Sequence, residues 1–201
     1  MSKKATGIRN VHYSIYKNSQ FAAPKAIKDI ENIAISETFA EGSNYADNIR
    51  NIYARELVGA DMSMEFSNLP REIEADLTGQ AYSDGEIEYK TDAVAPTVAI
   101  LYEKTYSDGS VDRIVYYNCK LSKDSENGET KTDSFNFTGD SISGKAAPMA
   151  NGKVKYVISS DKLPADKPDT EDSAEYKANT RFINFFKEVM FKGEDAKTPR
   201  N

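Results

Sequence analysis

Val94-Ala-Pro-Thr-Val-Ala-Ile-Leu-Tyr-Glu-Lys-Thr-Tyr106 and Val111-Asp-Arg-Ile-Val-Tyr-Tyr-Asn-Cys-Lys-Leu121, joined by Ser107-Asp108-Gly109-Ser110, read as two strands and a tight turn. Val, Ile, Thr and Tyr suit a pleated, half-buried surface, and Asp-Gly supplies the positive φ that a hairpin connection needs. On the return arm Val111, Val115, Tyr117, Cys119 and Leu121 share one face, interrupted by Arg113. Asp112, Asn118 and Lys120 take the other, with Ile114 and Tyr116 among them. Neither face is cleanly wet. Both are expected to be covered, one by the fold and the other with a neighbouring subunit as the candidate cover.

Upstream of the hairpin, Gln80 to Lys90 forms a smaller one around Ser83-Asp84-Gly85, the same turn chemistry used again. Before it lies the clearest helix signal. Asn68 is placed to cap, Pro70 sits where a missing N–H is harmless, Leu69, Ile73 and Leu77 make a stripe, and Gly79 takes the C′ position. Leu57 to Phe66 is a strand with Met62, Met64 and Phe66 on one side. Ser36 to Arg55 breaks the pattern: Glu41-Gly42-Ser43-Asn44 is turn chemistry, and Tyr45, Ile49, Ile52 and Tyr53 follow without alternation. The expectation here is a long loop with a job. Ile27 to Ile35 is a strand with a bulge near Asn32, Val11 to Tyr16 another, and Lys3 to Asn10 a short polar arm.

Downstream, Ser122 to Thr132 is a charged connection and Ser134 to Ile142 a strand carrying Phe135 and Phe137, broken by Ala146-Ala147-Pro148. Lys153 to Ser159 is a late strand, Asp161 to Asp172 a Pro- and acid-rich linker, Ser173 to Lys192 a helix stopped by Gly193, and Glu194 to Asn201 a loose tail. The fold class is mainly β: an antiparallel β-sandwich or open barrel of about eight strands with a short flanking helix and a C-terminal helix. Residues 1–160 form the β domain, with the loop 36–55 inside it, and 161–201 an acidic linker, helix and tail.

The chain has 201 residues, 39% hydrophobic and 29% charged, which is enough for one domain with a real core. Mean hydropathy is -0.64, net charge -6 and pI near 5.0, arguing against a dedicated DNA- or membrane-binding surface. No apolar run reaches the ~18 residues of a spanning helix, and the start lacks an apolar signal core. Cys119 is the one cysteine, so no internal disulfide forms and a reducing compartment, the cytoplasm, is expected.

Chemistry is scarce. His12 is the only histidine and has no nucleophile near it in sequence, so a hydrolase triad is not expected. Cys119 and His12 are the only soft ligands, too few for a zinc site, and phosphate-loop, dinucleotide and calcium-loop spacings are missing. Neither cofactor nor metal is expected. Asn136-Phe137-Thr138 matches a glycosylation acceptor by chance. Asp166, Asp169, Glu171 and Asp172 read as a solvated linker. Phe182 and Phe186, four apart, read as core, while Phe185 and Phe191 face elsewhere and point to an interface.

Six short motifs in order carry a resemblance: Tyr45-Ala46-Asp47-Asn48, Leu69-Pro70, Leu77-Thr78-Gly79, Ala95-Pro96-Thr97-Val98-Ala99, Tyr116-Tyr117 and Phe137-Thr138-Gly139. From about Gly7 to Ile158 the chain resembles the major tail proteins of siphophages and prophages of Gram-positive bacteria, the subunits of the tail tube. The 161–201 extension lies outside the resemblance, and Asn48 stands where the family pattern carries a second acid.

The resemblance implies a non-catalytic virion protein, assembled in the host cytoplasm, that polymerises as hexameric rings stacked into a hollow tube. DNA passes through the lumen without specific binding. It also implies tape measure, tail tip and tail terminator proteins as partners, and no membrane. A non-catalytic β-sandwich binding module, carbohydrate-binding or adhesin-like, is the alternative; the absence of Trp weighs against it. On the tube reading the 36–55 loop is the assembly element, with Phe39, Tyr45, Asp47, Ile49, Arg50, Ile52, Tyr53 and Arg55 as the inter-subunit contacts.

Overall fold

A computed structural model describes residues 3–46, 49–126, 139–163 and 174–192. The chain is mainly β, with one large antiparallel sheet, a two-stranded one and two α-helices. The central hairpin forms with the turn the sequence implied, as β8 (Val98–Tyr106) and β9 (Val111–Glu126), although Val94–Thr97 is not strand and the return arm runs five residues past Leu121. Its connection is a three-residue one. Gly109 N–H bonds Tyr106 O at 3.0 Å and Tyr106 N–H bonds Ser110 O at 3.1 Å, with Gly109 at φ +82. Asp108 Oδ1 fixes the turn by accepting from Ser110 N at 3.0 Å.

Around this hairpin run β1 (Ala5–Lys17), β2 (Gln20–Phe21), β3 (Lys25–Ala26), β4 (Ile30–Ala46), β5 (Ile49–Phe66), α1 (Arg71–Thr78), β6 (Ala81–Ser83), β7 (Glu86–Glu88), β10 (Asp140–Ala146), β11 (Lys155–Ser159) and α2 (Ala174–Ile183). The order across the large sheet is β2-β1-β8-β9-β10-β5-β4, with β11 also on β9 and β3 on β1. β3 leads directly into β4, so one segment pairs with β1 at its start and with β5 along its length. The sheet thereby curls into an open barrel. Gly144 permits the curl, since a Cβ there would stand 2.0 Å from Lys120 O.

The barrel interior holds Val11, Tyr13, Met62, Met64, Phe66, Ile100, Tyr116 and Ile142, and α1 plugs one end with Leu77, preceded by Leu69. Leu69, Leu77 and Gly79 serve as the sequence implied, Gly79 at φ +79 with Val94 O only 2.3 Å from where a Cβ would be. Asn68 does not cap. Pro70 is the N-cap residue and no side chain bonds the first turn, whose end is instead packed by buried Leu69. Tyr13 OH bonds Asp76 Oδ2 at 2.6 Å and Lys25 bonds the same oxygen at 2.8 Å, tying α1 to β1 and β3.

Four expectations need correction. Lys3 to Asn10 is not a free arm, because β1 begins at Ala5 and pairs with β8 as far as Tyr106. The described residues of Ser36 to Arg55 are not a loop: 36–46 lie in β4 and 49–55 in β5. The return arm does not keep one phase, since Asn118 takes φ +46 and β9 spends one extra residue against β8 between Ile100 and Val98. That bulge turns Cys119 and Leu121 inward with Ile114 and Tyr116, while Val115 and Tyr117 face out. Asn10, at φ +53, makes the equivalent slip in β1. Asparagine is among the residues that tolerate this conformation best.

The fourth correction concerns the outer face of the hairpin. Its cover is the chain's own C-terminal segment. The expected helix to Lys192 stops at Ile183, and a strap of turns and extended chain runs on to Lys192. Phe185, assigned to an interface, is fully buried against Ala99, Leu101, Val115, Tyr117 and Ile158. Phe191 stacks on Tyr117 with ring centroids 4.6 Å apart, and Phe186 packs on His12 at 4.6 Å. The bulge near Asn32, the β6–β7 turn with Asp84 and Gly85 at positive φ and the β11 strand stand as expected. The strand expected to end at Ile142 instead runs Asp140–Ala146, with Ala146 still paired to Ala60 and Cys119, and Ser122–Glu126, expected as a connection, continues β9. Phe135, Phe137, the acid cluster 166–172, Asn136 and the tail 194–201 lie outside the described residues.

Truncating Phe185 to Ala should cost about 3–5 kcal/mol, the usual range for a fully enclosed aromatic. A urea melt showing less than 1 kcal/mol would mean that the strap does not hold the sheet face.

Candidate assembly interface

The expected inter-subunit residues fall on a two-stranded ribbon. β5 pairs with β10 only from Ala60 to Phe66, whereas β4 and β5 continue to pair with each other out to Ala46 and Ile49. From Gly59 to Ile49 the ribbon therefore extends on the order of 35 Å beyond the barrel, at ~3.3 Å per residue. Along that length each strand has no other ladder partner among the described residues. Exposed edges of this kind are templates for pairing or docking, and a lone hairpin is marginally stable in water.

A bulge at Val58 sets the faces. Thr38 lies opposite Gly59 but Phe39 opposite Leu57, so Phe39, Glu41 and Ser43 meet Leu57, Arg55 and Tyr53 across the ribbon. This face continues the barrel interior outward. Leu57 packs on the core at the mouth, where Glu37 accepts bonds from Lys155 and Tyr116. The bond from Lys155 holds the Glu37 carboxyl below its ordinary range. Further out, Arg55 lies over the Phe39 ring at 3.9 Å and pairs with Glu41 at 3.3 Å. Tyr53 is 50% exposed and Val58 39%.

So Phe39, Tyr53 and Arg55 are brought together on one face. Tyr45 and Arg50 are cross-strand partners near the tip, as are Ala46 and Ile49, and Asn44 and Ile52. Asp47 lies outside the described residues. Leu57 and Val58 belong to the ribbon as well, but were read only as part of a core-facing strand.

The opposite end of the barrel has its own feature. There the end of α1, the residues flanking the β6–β7 hairpin and β9 border an open cavity of about 430 Å³ lined by Thr78, Gln80, Tyr89, Ala93, Leu121 and Lys123, among others. Behind it Glu74 is fully buried, and its carboxylate accepts from Arg71 at 2.9 Å, from Tyr89 OH and from Lys123 at 3.4 Å. Lys123 also lies 3.4 Å from Asp140. This network pins the helix to the sheet and leaves the cavity wall charged yet balanced. Tyr89 and Val94 stand exposed at it, at 53% and 77%, and Tyr82 on the adjoining β6 at 40%. The sequence places Tyr82 and Tyr89 in a small hairpin and Val94 in a strand, and does not mark them as exposed.

Among the described residues no group of three or more His, Cys, Asp or Glu is placed to hold a metal ion. His12 Nδ1 lies 2.9 Å from Asn10 O. Cys119 is fully buried, and burial pushes its thiol up to about 12. Compared with models of known protein families and with curated proteins, the chain matches none.

Proposed function

We propose that the chain is a structural subunit of a phage tail tube, which self-assembles through the β4–β5 ribbon into stacked, hexameric rings. The observation that carries this reading is the ribbon itself. A strand pair projecting on the order of 35 Å with open edges and an exposed tyrosine is costly to order alone and gains from a partner. The motifs that carry the resemblance support it by where they fall. Tyr45-Ala46 lies at the ribbon end, Leu69-Pro70 and Gly79 bracket α1, and Tyr116-Tyr117 sits at the centre of the main hairpin. The role is non-catalytic, in the tail of the virion after assembly in the host cytoplasm. Tape measure, tail tip and tail terminator proteins are the further partners.

The apolar surface offered to neighbours is on the ribbon, since Ile114 and Tyr116 are enclosed in the barrel. Sedimentation velocity of purified protein should show concentration-dependent self-association, or its onset on adding a tail-tip initiator. A strict monomer at high concentration with the initiator present contradicts the reading.

DNA should pass without being held. Six copies at -6 give about -36 per ring, and a field of one sign repels a polyanion. A gel shift at physiological salt should show no binding at submicromolar protein. Tight binding that weakens steeply with salt would contradict a conduit.

A further inference from the structure

The two ends of the barrel complement each other. Of the seven large hydrophobic residues exposed among those described, Tyr53 and Val58 lie on the ribbon, Tyr89 and Val94 lie at the cavity, and Tyr82 is on β6 beside it. Five of seven thus sit at the two ends, where clustering marks sites of contact more than scattered exposure does. The ends are opposite. β5 runs from the ribbon to Phe66, which leads into α1, and the register Asp140↔Phe66 and Asp140↔Glu126 puts the cavity-lining end of β9 beside it. Thirteen residues of strand separate Tyr53 from Phe66, on the order of 40 Å. A chain cannot fill its own cavity with its own ribbon.

We propose that Tyr53 of one copy seats in the cavity between α1, β6–β7 and β9 of a second copy. The proposal rests on the tube-subunit reading and names the receptor for its ribbon. A tyrosine is a rigid aromatic anchor with a polar tip, the residue type that fills central pockets at interfaces. The lining includes apolar Leu121, Ala93 and Ala95, with Gln80, Ser125 and Lys123 beside them. These three already bond Lys90 N, Ser141, and Glu74 with Asp140, in that order, so the phenol hydroxyl would join an existing polar network. Its volume of about 430 Å³ accommodates the ring. Knob and hole lie on different surfaces of the same chain, so the contact is heterologous and propagates along the strand direction. Copies added this way stack end to end.

Two variants and one cross-link test the seat. Tyr53→Ala removes the knob and Ala93→Trp fills the hole. Both positions are outside the buried core, and thermal melts of each should match the parent. The concentration at which assemblies first appear in light scattering should rise at least tenfold for each. The double variant Tyr53→Cys with Ala93→Cys should give a ladder of disulfide-linked oligomers on mild oxidation, while each single variant gives none. Native Cys119 is fully buried and stays silent.

A ladder together with both shifts supports the seat. If the parent assembles and either the shifts or the ladder fail, the seat is wrong and the tube reading stands. If the parent never assembles, the tube reading fails and the seat falls with it.

Discussion

Replacing residues 39–58 with Asn-Gly should leave a barrel that folds and, on the proposed tube reading, a chain that does not assemble. Thr38 and Gly59 are register partners, so a two-residue Asn-Gly connection closes the strands in the turn their twist favours. The cut lies outside the β5–β10 ladder, which begins at Ala60, and spares Glu37 with its bonds to Lys155 and Tyr116. The core loses only the half-buried contact of Leu57, worth about 1 kcal/mol by apolar area. Circular dichroism should show the same sheet, with melting lower by a few degrees at most. Assembly should vanish, because the open edges, Phe39, Arg55 and Tyr53 leave together. A folded variant that still assembles normally would make the ribbon decoration.

Arg113→Ala should lower stability by about 2–3 kcal/mol, the range for removing a charged hydrogen-bond partner from a buried carboxylate that keeps its other donors. Glu103 on β8 is almost fully buried and accepts from Arg113 Nε at 2.7 Å, Arg9 Nε at 2.8 Å and Asn10 Nδ2 at 2.7 Å. Arg113 does more than balance it. Its guanidinium bonds Phe182 O at the end of α2 and lies 4.0 Å from the Phe182 ring centroid, so one side chain joins the sheet to the strap. For a chain of this size the loss corresponds to a melting shift on the order of 10 °C. A loss below 1 kcal/mol would show that the Glu103 cluster only decorates the edge of a face held by Phe185 and Phe191.

The same cluster sets an acid limb. Burial pushes the Glu103 carboxyl up, but the hydrogen bonds and charges of Arg113, Arg9 and Asn10 outweigh it and hold the group below its ordinary range. A carboxyl lowered on folding stabilises fully above its unfolded value, and that stability is lost as pH falls through the folded value. Urea midpoints should therefore fall on acidification below the ordinary glutamate range. Glu103→Gln should start lower at neutral pH and flatten that limb, since the group no longer titrates.

What was legible in the sequence follows from what each segment touches. β8 and β9 bury both faces, so their Val, Ile and Tyr content and the Asp-Gly turn identified them without ambiguity. α1 announced itself because Leu69, Leu77 and Gly79 are local signals. The ribbon did not. Residues 40–43 and 53–56 of its strands are exposed, so selection for alternation there is weak, and Gly42-Ser43-Asn44 reads as turn chemistry although it lies in a strand. The bulge at Asn118 was hidden for another reason: an asparagine in an apolar run does not declare a left-handed φ, yet that one residue exchanges the faces of everything after it.

The strap was hidden by distance. Phe185 meets Val115 and Tyr117 across some seventy residues, and the helix ends at Ile183, so helical phase could not place Phe185 or Phe191. Of the candidate site, the segment was legible and its conformation was not. Sparse aromatic and charged residues between Phe39 and Arg55 marked an exposed element, and the cross-strand register supplied the face on which Phe39, Tyr53 and Arg55 converge. The receiving cavity had no signal, being assembled from three separate pieces of chain.

Negative-stain microscopy of the purified chain over rising concentration, with and without a tail-tip initiator, tests the central claim most directly. The account predicts rings about a central channel that stack into hollow tubes. Dispersed single particles under every condition would contradict it.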